Sequence, residues 1–451
     1  MYPEVIKKSL DFLRIMTDNN VDDIALLNIL NAKFCNMITN KGVCFKQYNN
    51  DKDVKQLSYY AINFMHSGRQ KDYTVNCINN YLLNFIGNYC ENSIENYKNE
   101  LSEELELKKV KQEKINEALE RVRPFNLEIY EANMTGLYAE AEQISNIGFG
   151  SLFIRIGELG DYIDGITSGN QDKKEFFQNL KNIYEGTIAG KIIKSEHRQQ
   201  INNIPVQSIM YTDFSSLLDE KNNKYFKTML KTGFSRRSFI YIPFEDNIKL
   251  NYPIKHSEKE DCIYKANELS NYIESEIFNK IQDKAILIYS EEAQELIHYY
   301  KCKCIDIVNS KKDTDSIVST DLKESFWKIQ KLACVYSLLG NPKSSIISSK
   351  YIQMAINFYE KIAPCLQVVV DKKEDSPEQR LKDYFISNVG KIISRSDIKN
   401  EKFVNANHFK KWFEDYIEEA QADLREQGIF VENIECKGNT KKLQIFKKEV
   451  K

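Results

Sequence analysis

The sequence predicts an α/β protein with a largely parallel sheet, followed by a small winged-helix-like domain. Between residues 56 and 260, short apolar runs (Tyr60–Met65, Leu152–Ile156, Gln207–Tyr211 and Phe239–Ile242) alternate with helical segments. Strands that alternate with helices build a sheet whose strands run parallel. The last 74 residues (378–451) carry three helical stretches and then two strand-like runs, Ile429–Glu435 and Lys442–Lys447, around Gly438-Asn439. Three helices and a β-ribbon make a winged helix the simplest reading.

The elements follow in order. Residues 1–55 read as a helical prefix: Ile6, Leu10, Leu13 and Ile15 recur near helical spacing, Asp22–Met37 continues the pattern, and Val43-Cys44-Phe45 reads as a short strand. The core spans 56–260. It includes a helix from about Tyr73 to Tyr89 and a long amphipathic helical arm over Asn99–Arg123, whose dense Glu and Lys suit a solvated face. Residues 261–367 read as a helical subdomain with a strand at Ala285–Tyr289 and helices at Phe326–Leu339 and Ile346–Ile362. The charged stretch 368–377, ending in Pro377, reads as a linker. In the C-terminal domain (378–451), helices cover Gln379–Ser387, a segment from Ser394–Ile398, and a long stripe of Phe409, Trp412, Phe413, Ile417, Ala420 and Leu424 that Gly428 ends.

Composition narrows the function. A net charge of -2 over 451 residues gives no global field for nucleic acid, so any DNA contact must come from a local patch. The ten cysteines are scattered; Cys302 and Cys304 form one CxC without a second pair, so reduced buried thiols are expected and a structural zinc site is not. No apolar run reaches the length of a membrane span, and the start Met1-Tyr2-Pro3-Glu4 has no signal-peptide pattern, so a cytoplasmic protein without membrane contact is expected.

Three segments carry the candidate chemistry. The first, Ser67-Gly68-Arg69-Gln70-Lys71-Asp72, follows a strand and opens a helix, the setting in which backbone N–H groups and a lysine hold phosphate. Against the pattern GxxxxGK[ST], only Lys71 fits. Met65 stands at the first Gly, Gln70 at the second, and Asp72 where a hydroxyl should hold Mg²⁺. An ordinary strand-to-helix turn would carry the same residues. The second, Gly150–Ile163, is an apolar strand that ends in an acid. Gly157 replaces the first of the usual two acids, Glu158 keeps the second, and Asp161 lies a turn further as a substitute metal ligand. The third, Phe226–Arg237, ends in Arg236-Arg237, a residue type that stabilises charge on a transferring phosphoryl group from a neighbouring subunit. A surface arginine pair is the plain alternative.

In this order these segments, with Glu131–Leu137, Tyr184–Gly186, Pro205–Asp213 and the helical pair Lys328–Leu339 and Ile346–Ile362, resemble the P-loop helicase-like NTPases of bacteriophages and mobile elements, often fused to primases. The resemblance covers roughly residues 56–365. It implies a RecA/AAA+-like core, ATP and Mg²⁺ as cofactors, DNA as partner, and a homo-oligomer such as a hexameric ring with ATP between subunits. It also implies a primase, polymerase or helicase as an associated protein. On this match Lys71 is the phosphate lysine, Ser67, Gly68, Arg69 and Gln70 form the loop, and Glu158 polarises water. Asp72 and Asp161 are the metal candidates, and Arg236 or Arg237 acts in trans. The departures at Gln70, Asp72 and Gly157 point to a second function, a non-hydrolysing scaffold acting as loader, adaptor or origin-binding subunit.

The C-terminal domain offers a separate DNA signal. Lys437, Lys441, Lys442 and Lys447 put a basic cluster on the wing, suited to phosphate contacts, while Glu414, Asp415, Glu418, Glu419, Asp423 and Glu426 make the long helix acidic. Wing-first DNA binding and a protein-docking winged helix both fit, and DNA binding through this domain alone is the third function.

Overall fold

The computed structural model describes residues 2–447 other than 49, 66–69, 125, 131–133, 189, 194–195, 214–219, 244–250, 312–315, 372–376, 401–408, 427 and 436–440. The chain forms two compact units, residues 1–371 and 372–451.

The strands of the first unit are β1 (Cys44–Gln47), β2 (Asn50–Gln56), β3 (Ser58–Phe64), β4 (Leu152–Ile156), β5 (Lys191–Ile193), β6 (Glu196–Arg198), β7 (Val206–Thr212), β8 (Ser238–Tyr241), β9 (Ile286–Tyr289) and β10 (Ile346–Ile347). Its central sheet has the order β4-β7-β3-β8 with every pair parallel, as the alternation of strands and helices predicts. Ile129 bridges Ile154 in parallel on the outer side of β4. Every residue of β3, β4, β7 and β8 is buried. Strands covered on both faces read as unbroken apolar runs, which is why the sequence reveals all four.

Adjacent residues on β3 show the two covered faces, because successive side chains point to opposite sides of a strand. The Tyr59 hydroxyl donates to Asn28 Oδ1 (2.8 Å) on helix Asp23–Thr39, while the Tyr60 hydroxyl donates to the Leu180 carbonyl (2.9 Å) on helix Gln171–Tyr184. On the first face Asn28 also donates to Asn63 Oδ1 (3.0 Å) and the Phe239 carbonyl (3.1 Å). Nearly every residue of helix Asp23–Thr39 is buried, the polar Asn28, Asn31, Lys33, Asn36 and Thr39 among them, so the helix is covered on all sides. Helix Asp23–Thr39 therefore forms part of the layer that covers one face of the central sheet. Helices Ile317–Gly340 and Ser349–Asp371 pack against the same core. A second sheet, β10-β9-β1-β2, is parallel except for the β1–β2 pair.

Three expected helices differ. The helix expected from Tyr73 starts at Lys71, opens into a π-helical turn at Ile78–Leu82 and resumes at Phe85. The arm is not one helix: Phe85–Leu107 ends before Lys109, which takes a left-handed backbone (φ 55), and Gln112–Arg121 follows. The break brings Ile115 to 1% exposure, which one continuous solvated rod would not achieve. Ile346–Ile347 pairs with β9 as a strand, so the helix expected there starts at Ser349.

The second unit contains helix Pro377–Ser387, strand β11 (Ile392–Ser394), helices Arg395–Asn400 and Phe409–Glu426, and strands β12 (Ile429–Glu435) and β13 (Lys441–Lys447). Its sheet is antiparallel with the order β11-β13-β12, and the helices close a separate core around Leu381, Phe385, Ile398, Leu424 and Ile445. In this unit β11 is the strand that the sequence did not reveal, its three residues being too few to show alternation; in the first unit β2, β5, β6 and β10 were not anticipated either, and β2 stands where a helical prefix was expected.

Candidate functional site

Parallel strands bring their C-terminal ends to one edge of a sheet, and in open α/β sheets ligands bind at that edge where strand order reverses. Here β3 lies inside the sheet, the chain crosses to β4 at one margin, and it returns to fill the space between them with β7. The residues after β3, β4 and β7 therefore meet at one edge. Of the candidate phosphate loop, Ser67, Gly68 and Arg69 lie outside the described residues. Gln70 and Lys71 lie within them. Gln70 has φ 55 and ψ 28, the left-handed backbone that glycine adopts freely. It stands where the phosphate-loop pattern wants its second glycine.

Lys71 and Glu158, 87 positions apart in the chain, are brought into an ion pair at this edge. The Lys71 ammonium also donates to the Gly157 carbonyl at 3.3 Å. Below the pair lies Tyr211 on β7, its ring centroid 6.0 Å from Lys71 Nζ and its hydroxyl donating to the Lys71 carbonyl at 3.3 Å. Gly157 has open space where a Cβ would stand, so nothing steric explains the missing acid.

Beneath the pair runs a chain of buried charge. Arg155 is 2% exposed in the middle of β4. Its guanidinium donates to Asp72 Oδ1 (2.6 Å), Glu128 Oε2 (3.3 Å) and the Tyr130 hydroxyl (3.1 Å). Glu128 in turn accepts from Lys33 Nζ and from Asn79 Nδ2, both at 2.7 Å. Burial alone would push the Glu128 carboxyl up, but Lys33 and these hydrogen bonds hold it down at about 2. Burial likewise pushes the Lys33 ammonium down, against the pull of Glu128.

The metal candidates are not gathered into a ligand set. Asp72 turns to Arg155, and Asp161 is exposed in the first turn of helix Leu159–Thr167. Among the described residues no group of three or more His, Cys, Asp or Glu side chains could hold a metal ion. Among the described residues this edge presents the Lys71 ammonium and no gathered set of carboxylates, a lining suited to an anion and not to a resident Mg²⁺.

Arg236 and Arg237 lie at the opposite edge. They form a short turn directly before β8, whose Ser238 pairs with Tyr60 near the start of β3. Gly233 precedes them at φ 106, and a Cβ there would stand 2.9 Å from Arg236 Nε and 3.0 Å from Arg237 Nη1. Arg237 donates to the Gly233 carbonyl (3.0 Å) and pairs with Glu185 (3.3 Å). Among the described residues Arg236 forms no ion pair. The backbone on either side of the arginines is clamped by buried Lys328, which donates to the carbonyls of Ser235 (3.2 Å) and Ser238 (2.9 Å) and to Asp321 Oδ1 (2.7 Å). The Tyr359 hydroxyl completes the group on Asp321 Oδ2 at 2.7 Å.

In the second unit, Lys437 lies outside the described residues and Lys441 opens β13. Lys447 is exposed and Lys442 half-buried on the same strand. Part of the acidic helix is engaged within the unit, Asp423 with Lys382 and Glu414 with Arg395 (3.2 Å).

Sequence reasoning did not single out Arg155, Glu128, Lys33, Lys328 or Lys331. The signal for three of them is a charge inside an apolar run: Arg155 within Leu152–Ile156, and Lys328 and Lys331 within Phe326–Leu339. No family model matches the chain, and no curated protein matches it. Among the described residues no helix is long and apolar enough to cross a membrane.

Proposed function

We propose that the chain is a P-loop NTPase of the helicase-like kind, with the edge at Lys71 and Glu158 as its nucleotide site. The convergence of Lys71 and Glu158 from distant segments onto the C-terminal ends of β3 and β4 carries this reading. The strand order supports it as well, because RecA/AAA+-like cores insert the strand with the polar end, here Thr212-Asp213, between the loop strand and the acid strand. Gln70 in a glycine conformation is a third support. In this reading Lys71 neutralises phosphate charge, and Glu158 moves from Lys71 to hold the attacking water and accept its proton. Arg236 serves a neighbouring copy's nucleotide from the opposite edge, Arg237 being committed to Glu185. The assembly is a ring acting on DNA, and the second unit is a winged helix that contacts phosphates with Lys441, Lys442 and Lys447.

The test is ATP hydrolysis with and without DNA. Lys71→Ala and Glu158→Gln are each expected to lower the rate by at least about a hundredfold, as removal of a phosphate charge or a positioned base does. A rate that neither substitution lowers would remove these residues from the mechanism.

The ion pair between Asp72 and Arg155 favours a second reading, a scaffold that binds nucleotide without hydrolysing it. A loader, adaptor or origin-binding subunit needs the fold and not Mg²⁺ turnover. Micromolar ATP binding with no hydrolysis in the wild type would decide for it.

A further inference from the structure

A cavity of about 360 Å³ opens at the edge of the sheet away from Lys71. Four cations line it, Lys55, Arg236, Arg237 and Lys331, against two carboxylates, Glu185 and Glu324. Its walls include three aromatic rings, those of Phe45, Tyr184 and Trp327. Lys331 is the unusual member. It is 4% exposed, yet among the described residues its ammonium forms no ion pair; it donates to the Tyr184 carbonyl (3.2 Å) and lies 3.8 Å from the centre of the Tyr184 ring. Burial pushes this ammonium down to about 8, against the pull of Glu185 and Cys35 and with the push of Arg237 and Lys55. The buried Nε of Arg237 also has no hydrogen-bond partner among the described residues. A buried cation without a carboxylate is costly unless an anion answers it.

We propose that this cavity is a second ligand site, which takes a small phosphate ester carrying a flat ring, of the nucleoside monophosphate class. Lys331 holds the phosphate at the inner end with the unpartnered Nε of Arg237, whose two other nitrogens stay with the Gly233 carbonyl and Glu185; Lys55 approaches it from β2, and the ring stacks among Trp327, Phe45 and Tyr184. The volume lies within the range of small-molecule sites, and excess positive charge with aromatic walls is the lining that such a ligand needs. The site uses neither Lys71 nor Glu158, so its ligand is separable from the nucleotide at that edge; it shares only Arg236 with the proposed NTPase reading.

The sequence holds two tryptophans, Trp327 and Trp412. A Trp412→Phe protein therefore reports from this cavity alone. Titration of its fluorescence with adenosine monophosphate is expected to saturate. Lys331→Met, which keeps the side-chain bulk and removes the charge, should weaken the affinity about tenfold or more, and the partly exposed Lys55→Gln several-fold. Lys71→Ala should leave it unchanged. Inorganic phosphate should bind about tenfold more weakly, for want of stacking. No saturable change, or titrations that Lys331→Met and Lys55→Gln both leave as in the parent, would overturn the site. Equal binding of inorganic phosphate would overturn the ring-bearing ligand.

Discussion

Glu128 answers two buried cations, Lys33 and Arg155, with a side chain only 10% exposed. Through Arg155 it also fixes Asp72, the neighbour of Lys71. Removing its charge leaves both cations without their shared counter-ion, so Glu128→Gln should cost about 3–5 kcal/mol of unfolding free energy in denaturant titrations. The sign with pH follows from the direction of the shift. A carboxyl held at about 2 instead of its ordinary 4.5 adds stability above 4.5 and loses it as the pH falls towards 2. The wild type should weaken faster than Glu128→Gln between pH 5 and pH 3; parallel slopes would contradict the network. None of this was legible in the sequence, because a Glu, a Lys and an Arg look alike there whether solvated or buried. Lys71 and Glu158 were singled out in the sequence because each follows an apolar run that reads as a buried strand, and the structure pairs them.

Among elements, the turn that carries Arg236 and Arg237 depends on a helix far away in sequence. Lys328, on helix Ile317–Gly340, binds the carbonyls on both sides of the turn and is itself neutralised by Asp321. Lys328→Met strands a buried carboxylate and should cost about 3–5 kcal/mol. Adding Asp321→Leu should recover a large part of that loss, measured as a coupling energy in a double-mutant cycle. Additive losses would mean that the two side chains act separately. Of helix Ile317–Gly340 the part Phe326–Leu339 was recognisable from its apolar spacing, whereas its role as a clamp was not, since spacing says nothing about what a buried amine touches. The arm over Asn99–Arg123 failed for the opposite reason. Its Leu and Ile positions suit a helix on either side of Lys109, and no proline or glycine marks the break.

For the whole molecule, two units with separate cores divide the proposed work. If the second unit binds DNA through phosphates, affinity must fall with salt in proportion to the contacts made. Replacing Lys442 and Lys447 by Ala should reduce the slope of log affinity against log salt by about 2, with little dependence on sequence. An unchanged slope would leave the basic strand without a role in DNA binding and favour docking to a protein.

If the chain is the proposed NTPase, the edge joining β3, β4 and β7 holds a nucleotide through Lys71. Calorimetric titration of ATP into Lys331→Met, which weakens the second cavity, and into Lys331→Met with Lys71→Ala tests this. Saturable binding is expected, weakened by at least about tenfold in Lys71→Ala through the loss of one charge-assisted phosphate contact. Equal affinity in the two proteins, or no binding to either, would contradict it.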